Sequence, residues 1–74
     1  HGVSFEEAAT VFRDRLSLTI LDPVHSTHEE RFVILGLSYR RKLLIVAHME
    51  RGNNIRIISA RPATKWERKT YEEN

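Results

Sequence analysis

The 74 residues make one domain's worth of chain, and 41% apolar with 30% charged residues excludes disordered, collagen-like and fibrous classes. No apolar run is long enough to span a bilayer, and the lack of cysteine excludes disulfides, Cys-ligated zinc and thiol nucleophiles. The net charge of +2 hides an asymmetry: residues 1–30 hold two bases against six acids, residues 31–69 hold ten bases against two acids, and Glu72 and Glu73 follow. The central stretch at +8 is a field that draws phosphate backbones, or else a solvated basic face. The chain opens on His1 rather than Met with no signal-peptide pattern, and a fragment is expected.

Ser4-Phe5-Glu6-Glu7 is a capping-box pattern, and Phe5, Ala8, Ala9 and Phe12 follow as one apolar stripe of a short helix ending near Arg13. Leu16, Leu18 and Ile20 alternate with Ser17 and Thr19, a strand closed by Asp22-Pro23. Val24–Glu29 is a polar loop. Arg31–Leu37 reads as a second strand, with Gly36 marking a bulge or a close backbone approach. After a turn at Ser38–Arg41, Lys42–Met49 is a third strand, and the turn residues Arg51-Gly52-Asn53-Asn54 lead into a fourth, Ile55–Ala60. Thr64-Lys65-Trp66-Glu67 is a second capping box, opening a helix towards Glu72. The order α-β-β-β-β-α predicts an α+β fold in a single domain over residues 1–74, a small antiparallel sheet with flanking helices. Of Trp66 and Tyr71, five apart, one is expected to pack on the sheet.

Little catalytic signal survives in the first half. His25 and His28 lack a third ligand at fixed spacing, so exposed loop histidines are expected there, and no metal or other cofactor is expected. No glycine-rich phosphate loop and no G-x-S-x-G elbow is present, and the carboxylate pairs Glu6/Glu7 and Glu29/Glu30 read as capping or solvated charge. The second half differs. Regular alternation puts Arg56, Ile58 and Ala60 on one face of the last strand and Ile57, Ser59 and Arg61 on the other. His48 ends the neighbouring strand, Arg31 begins the one before, and Lys42 begins the one between. Cleaving RNA through its 2′-hydroxyl needs a base for that hydroxyl, cations for the phosphorane and an acid for the leaving oxygen. Arginine supplies a fixed fork of donors, and histidine titrates near neutrality. Each residue also has a plain structural role open to it: His48 a half-buried strand residue, Arg31 and Arg56 partners of Glu30 or Glu50, Ser59 and Arg61 local capping.

Ile55-Arg56-Ile57-Ile58-Ser59-Ala60-Arg61, followed by Ala63-Thr64, Glu67-Arg68 and Tyr71-Glu72-Glu73, resembles the C-terminal signature of the BrnT family. His1-Gly2-Val3-Ser4-Phe5-Glu6-Glu7-Ala8, with Phe12 and Asp14, resembles the family's early helix, and Glu30-Arg31-Phe32, Gly36, Lys42-Leu43-Leu44 and His48 fit its middle strands. The resemblance covers nearly the whole chain. It implies a RelE-like fold and a cytoplasmic toxin of a bacterial type II toxin–antitoxin system: an endoribonuclease that inhibits translation, needs no metal and is neutralised by a BrnA-like antitoxin. DNA would be met only through that antitoxin, and no membrane is implied. By motif position the resemblance implies Arg31, Lys42, Ser59 and Arg61 as polar site residues; strand geometry adds His48 and Arg56. The expected roles are phosphate binding for Arg61 and Arg31, acid/base work for His48, and RNA positioning for Lys42, Arg56 and Ser59. A fold of this type also hosts gyrase-poisoning toxins, so a non-catalytic protein-binding toxin is the rival reading, and an inactive truncated fragment the third. Two departures stand out. The family usually carries an N-terminal segment with a strand before this His-Gly, so an open sheet edge is expected, and Pro62 replaces a common basic residue.

Overall fold

In the computed structural model, residues 2–22, 24, 26 and 29–74 are described. The Ser4 hydroxyl accepts from the Glu7 N–H at 3.0 Å and so starts helix α1, Phe5–Ala9. The predicted box closes on one side only, because Glu7 turns inward and its carboxylate accepts from the Ser38 hydroxyl at 2.7 Å. The chain then tightens into a 3₁₀ turn, Thr10–Arg13, whose three-residue period stacks Ala8 and Val11 together into the core. Phe5 is left 58% exposed, so the expected stripe is replaced by Val3, Ala8, Val11 and Phe12.

Asp14 ends this segment and organises the next. Its carboxylate accepts from the N–H groups of Leu16 and Leu37 and from the Tyr71 hydroxyl, at 3.0, 2.9 and 2.6 Å. A turn over Asp14–Ser17 follows, so strand β1 is Leu18–Leu21 and Leu16 stays outside it. Strands β2, Arg31–Leu37, β3, Leu43–Arg51, and β4, Asn54–Pro62, continue an antiparallel meander in the order β1-β2-β3-β4. The expected α-β-β-β-β-α order and α+β class are observed, with helix α2, Lys65–Glu72, closing the chain. His25, His28 and Pro23 lie outside the described residues. No helix among the described residues is long and apolar enough to cross a membrane.

Both hairpin turns follow from their residues. Gly52 has φ +59° and Asn53 does not share that sign, the signature of a two-residue II′ turn joining paired Arg51 and Asn54. At the β2–β3 turn, Arg41 N–H bonds the Ser38 carbonyl, Ser38 N–H bonds the Lys42 carbonyl, and Arg41 sits at φ 61°. That is a type I turn followed by a left-handed residue, a position glycine fills without strain.

The sheet has two unlike faces. On one, α1 and the 3₁₀ turn cover Ile34, Leu44, Val46 and His48. Gly36 allows the close approach expected of it, since a Cβ there would lie 3.1 Å from Ser17 Cβ and 3.3 Å from Val11 Cβ. On the other face α2 lies across part of the sheet, leaving a groove lined by Leu18, Ile20, Val33, Leu35 and Ile45 beside Glu67 and Thr70. Tyr71 is the aromatic that packs inward, whereas Trp66 is 78% exposed with Lys69 Nζ 5.8 Å from its ring centre. Strand β1 is an open edge carrying exposed Ile20 and Leu21.

Candidate nucleic-acid interface

The register of β4 decides which of its side chains act together. Ala47 pairs with Ser59 but His48 pairs with Ile57, so Ile58 is one residue too many and forms a β-bulge. Ile57 and Ala60, three apart, both pack on the core, which two-residue alternation forbids. The expected split of Arg56 from Ser59 and Arg61 is thereby corrected. Met49 faces Arg56, Ala47 faces Ser59 and Ile45 faces Arg61, so the three share the face that α2 partly covers. Arg31 joins them, because it pairs with Met49 from the other side. Arg31 and Arg56 flank Met49 in one row, about 10 Å apart between backbones, and the row of Arg61 lies about 13 Å along the strands.

Arg61 is the most defined of the four. Its Nη1 and Nη2 donate to the two oxygens of Glu67, both at 2.8 Å, and Nη1 also donates to the Pro62 carbonyl at 3.2 Å. A guanidinium has five N–H groups. Three are thus used, and Nε–H with the outer Nη2–H make no hydrogen bond among the described residues. These two are parallel and form the second fork of the guanidinium, the geometry that accepts two oxygens of a phosphate. Its side chain is 46% exposed. The hydrogen bonds to Glu67 raise the Arg61 pKa, so the cation is permanent.

Glu67 holds this arrangement from α2. It accepts from the Thr64 N–H at 2.8 Å while Thr64 Oγ1 accepts from the Glu67 N–H, a complete capping box. The Arg61 bond above all, helped by Thr64, pulls the Glu67 carboxyl down to about 2. A second clasp ties α2 to the sheet. Burial first, and then the bond to Asp14, push the Tyr71 phenol up to about 12; burial works against the Asp14 carboxylate, but its three hydrogen bonds outweigh that and lower its pKa.

These shifts set a stability profile. Glu67 is easier to ionise folded than unfolded, so its contribution is complete above its ordinary value of 4.5 and is lost as pH falls towards 2. Tyr71 is harder to ionise folded, so its contribution is complete below 10 and is lost as pH climbs towards 12. With Arg61 nearly half exposed, solvent screening limits the acid limb to about 1 kcal/mol. Urea midpoints at pH 7, 3 and 11 should show both losses, with Asp14 adding to the acid one, and Glu67→Gln should reduce the acid loss; equal acid sensitivity in that variant would refute the assignment.

The two remaining expected residues lie elsewhere. Lys42 is exposed on the β2–β3 turn, just before β3. His48 lies on the other side of the sheet. Its imidazole is 1% exposed, on the opposite face, stacked on Phe32 at 5.6 Å and met edge-on by Phe12 at 4.9 Å. Nε2 contacts Glu50 at 3.1 Å and Nδ1 has no hydrogen-bond partner among the described residues. It is therefore buried on the face opposite the arginines, beside Phe12 and Phe32. Sequence reasoning missed the tie between Arg61 and Glu67, whose capping-box spacing was visible but whose partner across the strand–helix junction was not.

A family model described as "Ribonuclease toxin, BrnT, of type II toxin-antitoxin system" matches residues 1–67. A search of curated proteins returns no match.

Proposed function

Because the chain belongs to the BrnT family of ribonuclease toxins of type II toxin–antitoxin systems, we propose that it is an endoribonuclease whose phosphate-binding centre is the free fork of Arg61. The observation that carries this reading is the bulge at Ile58, which aligns Arg56, Ser59 and Arg61 on the face that also holds Arg31. In the reaction the substrate's 2′-hydroxyl gives its proton to hydroxide or water as its oxygen bonds the adjacent phosphorus, the bond from phosphorus to the 5′-oxygen breaks, and that oxygen takes up a proton from water. Negative charge builds on the two non-bridging oxygens between these events, and Arg61 stabilises it with two aligned donors. Arg31 and Arg56 hold the backbone further along the face, with Ser59 a hydrogen-bonding group between them. Lys42 meets the same strand at the turn. No metal is required for this chemistry, and cleavage of translated RNA would inhibit translation. As in a type II system, a cognate antitoxin protein neutralises the toxin, and contact with DNA runs through that antitoxin. The cytoplasm is where substrate and antitoxin meet.

With His48 in the core, the arginine face holds no histidine among the described residues to act as acid or base. The rate is therefore expected to rise with pH through 6 to 8 without the inflection a histidine imposes near its ordinary pKa of about 6.5. The test incubates the purified protein with RNA in a chelator and analyses fragment ends. Cleavage leaving 2′,3′-cyclic phosphate is the expected result, with His48→Phe equally active per folded molecule. An absence of cleavage with and without ribosomes would overturn the enzyme reading, and a His48→Phe protein that folds but is inactive would restore a catalytic role to that imidazole.

A further inference from the structure

The β2–β3 turn carries an aromatic and three cations in a row, Tyr39-Arg40-Arg41-Lys42. We infer that this turn is a second, single-strand-specific nucleic-acid contact, with Tyr39 as a platform for a base and the three cations as a cradle for phosphates. It rests on the reading that the substrate is RNA, and extends it to a surface outside the arginine face.

Four observations lead there. Tyr39 is 71% exposed and all three cations are exposed. None of the three forms an ion pair among the described residues, whereas Arg51, Arg61 and Arg68 are each matched by a glutamate. The turn is also pinned. Tyr39 N–H donates to Thr10 Oγ1 at 2.8 Å, and Ser38 Oγ accepts from Arg40 N–H while donating to the buried Glu7 carboxylate. A surface fixed in advance loses little entropy on binding. Finally, Arg41 occupies a left-handed conformation that a side chain enters only at a cost and glycine enters freely. That conformation fixes the backbone of the turn at Arg41 and with it where the side chain leaves the chain.

Placement makes the contact useful. Lys42 precedes by three residues Ile45, the partner of Arg61, so turn and fork lie about 10 Å apart along the strand direction. The turn lies at the end of the sheet nearer Arg61, with Tyr39 tied to Thr10 on the side of α1, so a strand reaching both passes around that end. An exposed ring face beside cations suits unpaired bases, since a duplex hides its base faces.

The test uses a 2′-O-methyl RNA oligonucleotide, which binds but lacks the attacking hydroxyl, followed by fluorescence anisotropy across a salt series. Tyr39→Ala should weaken binding about tenfold and Tyr39→Phe should restore it. The combined Arg40→Gln, Arg41→Gln, Lys42→Gln protein should lower the magnitude of the salt slope by about 2. Melting curves verify that every variant folds. Unchanged binding in both the Tyr39→Ala and the triple variant overturns the inference, as does equal affinity for a duplex or a preference for phosphatidylserine vesicles. Turn-dependent binding without cleavage of ordinary RNA leaves the contact standing and removes the endoribonuclease reading; normal cleavage with turn-independent binding does the reverse.

Discussion

Replacing Arg61 with lysine should lower kcat for RNA cleavage by about 10²- to 10³-fold, with a much smaller change in KM, the loss typical of removing a donor that acts on charge developing in the transition state. The substitution keeps the positive charge, so long-range attraction of RNA survives. What it removes is geometry. Two of the five guanidinium N–H groups are spent on Glu67 and one on the Pro62 carbonyl, leaving Nε–H and Nη2–H aligned for two phosphate oxygens. A lysine ammonium reaching the same carboxylate has no second, parallel pair to offer. The backbone carbonyl of Pro62 takes the third N–H and helps to fix the plane of the fork. The measurement is steady-state cleavage by Arg61→Lys beside wild type, with thermal melts to show that the exposed pair contributes little to folding. Cleavage within a few-fold of wild type would mean that charge alone suffices and that the fork is not the phosphate site.

Why so much of the fold was legible, and less of the site, comes down to which signals are local. Both helix starts are read from short side-chain-to-backbone distances within four residues, at Ser4 and Thr64. Turn residues at 38–41 and 51–54 fix a meander, because adjacent strands joined by short turns pair with each other. The start of β1 slipped by two residues because Asp14 draws the Leu16 N–H into a turn, a preference that alternation of Leu and Ser does not reveal. The site depends on two non-local facts. One is the extra residue at Ile58, whose only trace is the doublet Ile57-Ile58 inside an otherwise alternating string; taken as regular alternation, it sends Arg56 to the wrong face. The other is depth at His48. In KLLIVAHM both faces of the strand are apolar, since one packs under α1 and the other partly under α2, so the pattern does not say which side a polar residue joins.

The core beneath that site leaves little margin, and Leu44→Ala should show it with a loss of about 2–5 kcal/mol and a fall in melting temperature of roughly 10–30 °C. Leu44 is the largest completely buried apolar side chain among the described residues, near the start of β3, facing α1 and the 3₁₀ turn. Its cross-strand neighbour on β2 is Gly36, which supplies no side chain to move into a vacated space. The volume above Gly36 is already taken by Val11 and Ser17, held within 3.3 Å of where a Cβ would lie, so the cavity is not able to collapse from that side. On the other flank Pro62 pairs with Leu44 at the end of β4, where the ring restricts the backbone. A domain of this size has only about 5 kcal/mol or little more in reserve, so the variant should be measurably unfolded at growth temperature. Leu44→Met, which keeps volume, should cost less than about 1.5 kcal/mol, and Leu16→Ala, at a 68% exposed position, should stay within about 0.5 kcal/mol. The comparison with Arg61→Lys separates two ways of losing activity. Leu44→Ala should lose it in proportion to the unfolded fraction and recover it on cooling, while Arg61→Lys should melt like wild type and keep its lowered kcat at every temperature. A Leu44→Ala protein melting within about 2 °C of wild type would show that this part of the core rearranges freely, and that the rigid floor under the arginine face is supplied by something other than the packing of Leu44 against Val11.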